Sequence, residues 1–180
     1  MNKDRYSVQE LVNQLVHTRH NYILGLAGYA LLNNERTYSF LSSQSAVFGP
    51  YSVSFDQVTR LFRDQRDQQL AMREFLKMLM RTLIKESFEH IKDYCTRTEQ
   101  FGSLKSQSWY EFARIIRNFL SHNCRFQFNK YDLERLPVNW NGKVITGEMN
   151  GQIADFSFFG QVETWELFAE MEDFVRSQLK

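Results

Sequence analysis

Residues that break helices are scarce in this chain, and this scarcity limits its fold more than any other feature. Only 8 glycines and 2 prolines occur among 180 residues, under half of the roughly 12% average for the two types together. Hydrophobic residues make up 43% and charged residues 24%, which excludes a disordered chain, a collagen-like repeat and a disulfide scaffold. We therefore expect long helices around one core, in a single domain over residues 1–180.

Cysteine spacing argues against a zinc or redox site built on cysteines, and the lack of a long apolar run argues against a membrane-spanning segment. Cys95 and Cys124 form neither a CxxC pair nor a zinc-ligand spacing, so we expect reduced thiols. The amino terminus lacks the apolar core of a signal peptide, and the longest apolar stretch, residues 22–32, is shorter than the ~20 residues that span a bilayer. The sequence thus predicts a cytoplasmic protein without a membrane partner.

Hydrophobic periodicity predicts helices in the first half of the chain. Ser7 followed by Glu10 is a capping box, and apolar residues then recur at helical spacing to about residue 33. The segment 34–54 loses this period, is rich in serine and contains a Gly-Pro pair, so we expect a long connecting loop. A second helical stretch follows it and continues to about residue 97, with a break near 64–67.

The second half is predicted to hold two more helices and a small β excursion. A third helix begins at another capping box, Ser108 with Glu111, and its apolar face ends at a polar run. An Asn-Gly pair at 141–142 lies between two short apolar segments, which indicates a tight β-hairpin. An amphipathic helix over about 161–178 closes the chain. The predicted fold class is mainly α, with a β-hairpin insertion within about 125–160, before the last helix.

Charge is unevenly distributed along the chain. Residues 60–144 hold an excess of Lys and Arg, and residues 145–180 hold an excess of Asp and Glu. Four cations spaced every fourth residue, from Arg73 to Lys85, form a row on one face of the second helical stretch. Such a split lets a polyanion approach the basic region, and it equally lets the two regions neutralise each other within the fold.

Most signatures of catalysis and metal binding are absent. The sequence has no Gly-rich phosphate loop, no HExxH and no GxSxG. His17 and His20 lie three residues apart on the first helix, but no clear third ligand accompanies them, and a tetrahedral site needs more. We therefore expect neither a metal nor a cofactor.

One polar run stands out at the end of the third predicted helix: Arg117-Asn118-Phe119-Leu120-Ser121-His122. Cleavage of RNA without a metal needs a group that takes the 2′-hydroxyl proton, a group that protonates the leaving 5′-oxygen, and a cation for the phosphorane. Histidine titrates near neutral pH, and arginine stays charged and grips phosphate oxygens. We expect His122 to be the general acid/base, Arg117 the phosphate clamp, and Asn118 an orienting group.

This run resembles the R-x4-H motif of the HEPN superfamily, in which a polar residue directly follows the arginine. The resemblance implies an up-and-down helical bundle over about residues 8–124 and 161–178, and a homodimer with a composite cleft. It also implies a metal-independent endoribonuclease, of the toxin–antitoxin or antiviral-defence type, that acts on RNA and is controlled by an antitoxin or regulatory protein. We expect Arg114, Ser121 and Arg125 to contact the RNA beside the catalytic residues.

Helix geometry restricts how the first and last residues of the motif can cooperate. On a continuous helix the side chains of Arg117 and His122 would point ~140° apart, with ~7.5 Å of rise between them. Either the helix ends or bends before His122, or a second protomer supplies its own Arg and His across a two-fold axis.

Three other interpretations stay open. Arg117 could pair with an acidic neighbour while His122 caps the helix, where the dipole favours a cation. The protein could instead be a non-catalytic HEPN module that binds RNA or a protein, or an antitoxin or assembly subunit whose acidic last helix engages a basic partner. Some HEPN toxins carry a tyrosine two residues after the histidine; Cys124 stands there in this chain, and Tyr131 lies too far along to take that role.

Overall fold

The computed structural model describes residues 7–180 and is mainly helical, with two small hairpins. The helices are α1 (Val8–Leu32), α2 (Glu35–Ser42), α3 (Asp56–Leu61), α4 (Gln65–Arg97), α5 (Phe101–Lys105), α6 (Tyr110–Ser121), α7 (Lys130–Leu133) and α8 (Gln161–Gln178). The strands are β1 (Ser45–Phe48), β2 (Tyr51–Ser54), β3 (Val138–Trp140) and β4 (Lys143–Ile145). The predicted class, mainly α with a small hairpin before the last helix, is confirmed. None of the described helices is both long and apolar enough to cross a membrane.

The chain forms two compact units. The first contains residues 7–20 and 80–180, and the second contains residues 21–79. The first unit has an extensive apolar core in which α4, α6 and α8 bury their apolar faces; its fully buried members include Leu83, Phe88, Phe112, Phe119, Phe168 and Phe174. At the edge of this core Arg19 of α1 pairs with Glu172 of α8 at 2.9 Å.

The two predicted capping boxes have different outcomes. Ser7 and Glu10 form theirs: the Ser7 N–H donates to the Glu10 carboxylate at 2.7 Å, and the Glu10 N–H donates to the Ser7 hydroxyl at 3.2 Å. The second box, predicted at Ser108 and Glu111, is wrong. α6 begins with Trp109 as its N-cap, without a side-chain cap, because the Glu111 carboxylate binds Arg114 one turn further along, at 2.8 Å.

The predicted loop over 34–54 is also wrong. Asn34 caps α2 by accepting the Arg36 N–H on its side-chain oxygen at 3.0 Å, and β1 and β2 then form a hairpin. The turn of this hairpin places Gly49 at φ 58°, a left-handed conformation that glycine adopts without steric cost. The predicted break near 64–67 is confirmed, since α3 ends at Leu61 and α4 begins at Gln65.

The β3–β4 hairpin is confirmed at the Asn-Gly pair, where Asn141 and Gly142 have φ values of 46° and 76°. Its contacts with α8 join basic and polar groups to the acidic last helix. The Trp140 indole N–H donates to Glu170 at 3.0 Å, and Lys143 pairs with Glu163 at 2.9 Å. Part of the charge split along the sequence is therefore neutralised within the first unit.

Candidate active site

The predicted motif lies at the carboxyl end of α6. Seven of the twelve residues of this helix are buried, so its apolar side is fixed in the core of the first unit. Arg117 and Asn118 lie at the edge of the buried side and are half-buried, whereas Ser121 and His122 are exposed. The helix thus carries the motif from the core to the surface.

The helix ends at the last two residues of the motif. α6 stops at Ser121, and His122 is its C-cap, with φ −102° and ψ 36°. Asn123 and Cys124 then adopt left-handed φ values of 54° and 58°, and the Cys124 N–H donates to the Phe119 carbonyl at 3.0 Å, as in a Schellman ending. The chain therefore leaves the helix after His122, whose N–H still makes the helical bond to Asn118, so its side chain stays close to the helical spacing from Arg117.

His122 is held by its backbone and exposes its ring. Its N–H donates to the Asn118 carbonyl at 3.0 Å, and its carbonyl accepts the Arg125 N–H at 3.1 Å. Further along, Phe126 donates its N–H to the Gln152 carbonyl at 2.9 Å, which fixes the direction of the chain after the cap. The backbone of His122 caps the helix, and the imidazole is exposed to solvent.

Arg117 is engaged by an acidic neighbour. Its Nη1 forms an ion pair with the Glu89 carboxylate of α4, and its guanidinium carbon lies 5.5 Å from the centre of the Phe88 ring. The side chain of Arg117 is 23% exposed and that of Glu89 is 39% exposed, so the pair lies at the rim of the core. The alternative in which Arg117 pairs with an acid is therefore present in the structure.

Two further arginines lie at the same end of α6. Arg81 of α4 donates from Nε to the Leu120 carbonyl at 2.7 Å and from Nη2 to the Asn123 side chain at 3.1 Å. Arg125 is exposed and donates from Nη1 to the Gly151 carbonyl at 2.5 Å. Neither arginine forms an ion pair with any residue of the described range 7–180. A cation at the carboxyl end of a helix is stabilised by the helix dipole.

Sequence reasoning did not assign Arg81 to the site, although the row of cations that contains it is visible in the sequence. A second member of that row, Lys85, lies one turn further along α4 and is exposed, so it is on the same side of the helix as Arg81. Lys77 is instead paired with Glu74 at 2.6 Å. Three members of the row thus have different environments: Arg81 contacts the end of α6, Lys85 is exposed, and Lys77 forms a local ion pair.

Arg114 has a structural environment. Its guanidinium pairs with Glu111 and with Asp132, whose side chains are 27% and 2% exposed, and is itself 12% exposed. It also lies over the Tyr131 ring, 4.7 Å from its centre. Burial lowers the pKa of Arg114, but hydrogen bonds and charge from the two acids outweigh it, and the pKa is raised overall. This geometry does not favour the RNA contact predicted for Arg114, which stays a prediction.

The remaining predicted residues have simpler environments. The Ser121 hydroxyl donates to the Arg117 carbonyl at 2.9 Å, which leaves its oxygen able to accept a bond. Cys124 is buried, and Tyr131 donates its hydroxyl to Glu111 at 3.1 Å, on the side of Arg114. No group of three or more His, Cys, Asp or Glu side chains within residues 7–180 is arranged to hold a metal ion.

Comparison with known proteins adds no assignment. No protein-family model matches the chain, and neither a curated protein nor a solved structure resembles it at a significant level. The function must therefore be argued from the residues at the end of α6.

Proposed function

We propose that this protein is a metal-independent endoribonuclease that cleaves RNA through attack by the 2′-hydroxyl group. The observation that carries the proposal is the end of α6 at Ser121, which exposes His122 at a surface that also holds Arg81 and Arg125. Because these two arginines have no ion-pair partner within the described residues, no acid in this range neutralises their charge, and that charge attracts a phosphate backbone.

The reaction needs one proton acceptor, one proton donor and one fixed cation. The 2′-oxygen attacks phosphorus and loses its proton to a base, the P–O5′ bond breaks, and the 5′-oxygen receives a proton. His122 serves as the base or the acid, and the histidine of a second copy serves in the complementary role across a two-fold axis. Products therefore carry a 2′,3′-cyclic phosphate, or its hydrolysed form, and a 5′-hydroxyl.

Arg117 binds the phosphate by exchanging its ion pair with Glu89 for one with the phosphate. Its Nη1 is paired with Glu89, and its Nε is buried without a hydrogen-bond partner within the described residues. A guanidinium has five N–H donors, so a phosphate at the end of α6 competes with Glu89 for this group. Arg117 then stabilises the charge that develops on the phosphorane, while Asn118 and Ser121 help to position the RNA.

The setting that the family resemblance implies is a toxin–antitoxin or antiviral-defence system. The exposed site needs a control that keeps it from cellular RNA, and an antitoxin or regulatory protein supplies it.

The proposal is tested by cleavage of RNA in excess chelator, followed on denaturing gels. His122→Ala should lower the rate by ~10²–10⁴-fold, since it removes the general acid/base, and Arg117→Ala should lower it by ~10²-fold or more. His20→Ala is the matched control, because His20 is also exposed but lies on α1, and its rate should equal that of the wild type. Equal cleavage by all four proteins, or none by the wild type, contradicts the proposal.

The second candidate is a non-catalytic module that binds RNA or a protein through the same surface. The ion pair between Arg117 and Glu89 favours it, because a paired guanidinium is a stable structural element without substrate. Wild-type protein that binds RNA without turnover, with an affinity unchanged in His122→Ala, would support this candidate instead.

A further inference from the structure

The last helix, α8, carries more acidic charge than its neighbours neutralise. Of its five acids, Glu163 pairs with Lys143 at 2.9 Å, and Glu172 pairs with Arg19 at 2.9 Å. The other three form no ion pair with any residue in the range 7–180; they are Glu166, Glu170 and Asp173. Their spacing of four and three residues places them on one side of the helix.

Two surface cavities lie on this side of α8. The first, of about 410 Å³, lies between α8 and the turn that precedes α6, and its walls include Trp109, Glu170 and Asp173. The second, of about 430 Å³, lies at the tip of the β3–β4 hairpin and shares Glu170 with the first. Asn141, which lines the second cavity, donates from its side chain to Glu166 at 2.8 Å. No described Lys or Arg lines either cavity, so together they form an acidic groove.

A hydrogen-bond donor without a partner opens into this groove. Trp109 is only 3% exposed, and its ring packs edge-on against Phe174 with centroids 5.9 Å apart. Its indole N–H makes no hydrogen bond within the described part of the chain, yet its nitrogen is not one of the unpartnered atoms sealed from solvent. The N–H therefore reaches the cavity that Trp109 lines. The Trp140 indole N–H, in contrast, donates to Glu170 at 3.0 Å.

We infer that the acidic groove binds an extended, Lys- or Arg-rich segment of another protein. Cationic side chains of the segment form charge-assisted hydrogen bonds with Glu170 and Asp173, and one of its backbone carbonyls accepts the Trp109 indole N–H. The part of α8 that lines the groove, residues 169–178, is ~14 Å long. An extended chain advances ~3.3 Å per residue, so a short segment fills the groove.

Charge and hydrogen bonding argue against the other occupants. RNA and anionic lipids carry the same sign of charge as the three unpaired acids and are repelled. A second copy on a two-fold axis would place these acids opposite themselves, which is repulsive as well. A metal ion or a protonated polyamine matches the charge but offers no acceptor to the indole N–H.

The groove is separate from the motif. It borders the amino end of α6, whereas His122 lies at the carboxyl end of this helix, ~18 Å away along the axis. The inferred contact uses none of the motif residues and does not depend on the proposed nuclease activity.

The inference is tested with a fluorescently labelled short peptide of alternating Ala and Lys, whose binding is followed by anisotropy. Glu170→Gln/Asp173→Asn keeps the oxygen that accepts the Trp140 N–H and should weaken binding roughly tenfold, as expected for the loss of two partly exposed charge pairs. Glu86→Gln/Glu134→Gln is the matched control, because it changes the net charge equally at exposed acids outside the groove, and it should bind like the wild type. A wild type that does not bind the peptide, or equal affinities for the two variants, overturns the inference.

The Trp109 indole N–H provides a measurement on the wild type. Its NMR signal should move downfield when the Ala-Lys peptide is added, because the N–H gains an acceptor. It should not do so with spermine, which carries positive charge but no acceptor. An equal downfield change with spermine, or with the same peptide carrying Glu in place of Lys, overturns the inference.

Light scattering tests whether a second copy fills the groove instead. The wild type and Glu170→Gln/Asp173→Asn should have the same mass, because the occupant is a different protein. An assembly that is lost in this variant and kept in Glu86→Gln/Glu134→Gln would make a basic surface of another copy the occupant, and overturns the inference.

Discussion

Replacement of Arg114 by methionine should strongly destabilise the first unit. The substitution removes the cation that pairs with Asp132, whose side chain is 2% exposed, and also one of the partners of Glu111. Loss of one partner from a buried ion pair costs ~3–5 kcal/mol, because the remaining charge is buried without compensation. For a chain of this size each kcal/mol lowers the melting temperature by about 2–4 °C, so Arg114→Met should melt roughly 10 °C below the wild type.

The assay uses a signal that reports on the first unit alone. The three tryptophans, Trp109, Trp140 and Trp165, all lie in this unit, so tryptophan fluorescence in a denaturant titration follows its unfolding. Arg114→Met/Asp132→Asn removes both charges and should recover most of the loss, giving a coupling energy of at least ~1.5 kcal/mol in the double-mutant cycle. A loss below ~1 kcal/mol for Arg114→Met, or no coupling, refutes the structural role and favours the RNA contact.

Three further predictions concern other contacts of the first unit. Arg81→Gln loses the charge-assisted hydrogen bond to the Leu120 carbonyl and should lower the free energy of unfolding by ~1–3 kcal/mol; an unchanged value contradicts the helix-capping role. Burial raises the pKa of Glu163, but bonds from Lys143 and a backbone N–H outweigh it and hold the pKa below the ordinary value of 4.5. The stability that Glu163 contributes is therefore complete above that value and is lost as the pH falls through the lowered pKa. Glu163→Gln should melt at a lower temperature than the wild type at pH 7, and a difference in melting temperature that persists in acid contradicts this. Burial raises the pKa of the Cys95 thiol to about 12, so iodoacetamide at pH 8 should label it only after unfolding, as measured by mass spectrometry; labelling of the native protein at this residue refutes its protection.

The long helices were predictable from the sequence, whereas the short elements of the second unit were not. α1 and α8 carry apolar residues at helical spacing over many turns, and Gly and Pro are rare within them. α2 has 8 residues and β1 and β2 have 4 each, which is too few for a period to stand out. The serines over 34–54 therefore favoured a loop, although several of them form the polar face of the hairpin.

The position of the motif at the end of a helix was also predictable, but the side chains that contact it were not. The end of α6 at Ser121 agrees with the polar run that follows its apolar face. The pairing of Arg117 with Glu89, and the contact of Arg81 with the end of α6, join residues that are 28 and 39 positions apart. Such contacts depend on how two helices pack, and the period of either helix alone does not specify that arrangement.

The chemistry of the RNA ends tests the central claim most directly. We expect the wild-type protein, in excess chelator, to produce fragments with a 2′,3′-cyclic phosphate and a 5′-hydroxyl, and His122→Ala to produce them at least ~10²-fold more slowly. Attack by the neighbouring 2′-oxygen leaves those ends, because it requires no water in the first step. Fragments with a 3′-hydroxyl and a 5′-phosphate, or cyclic phosphate ends that form equally fast with His122→Ala, would contradict the assignment of His122 as the general acid/base.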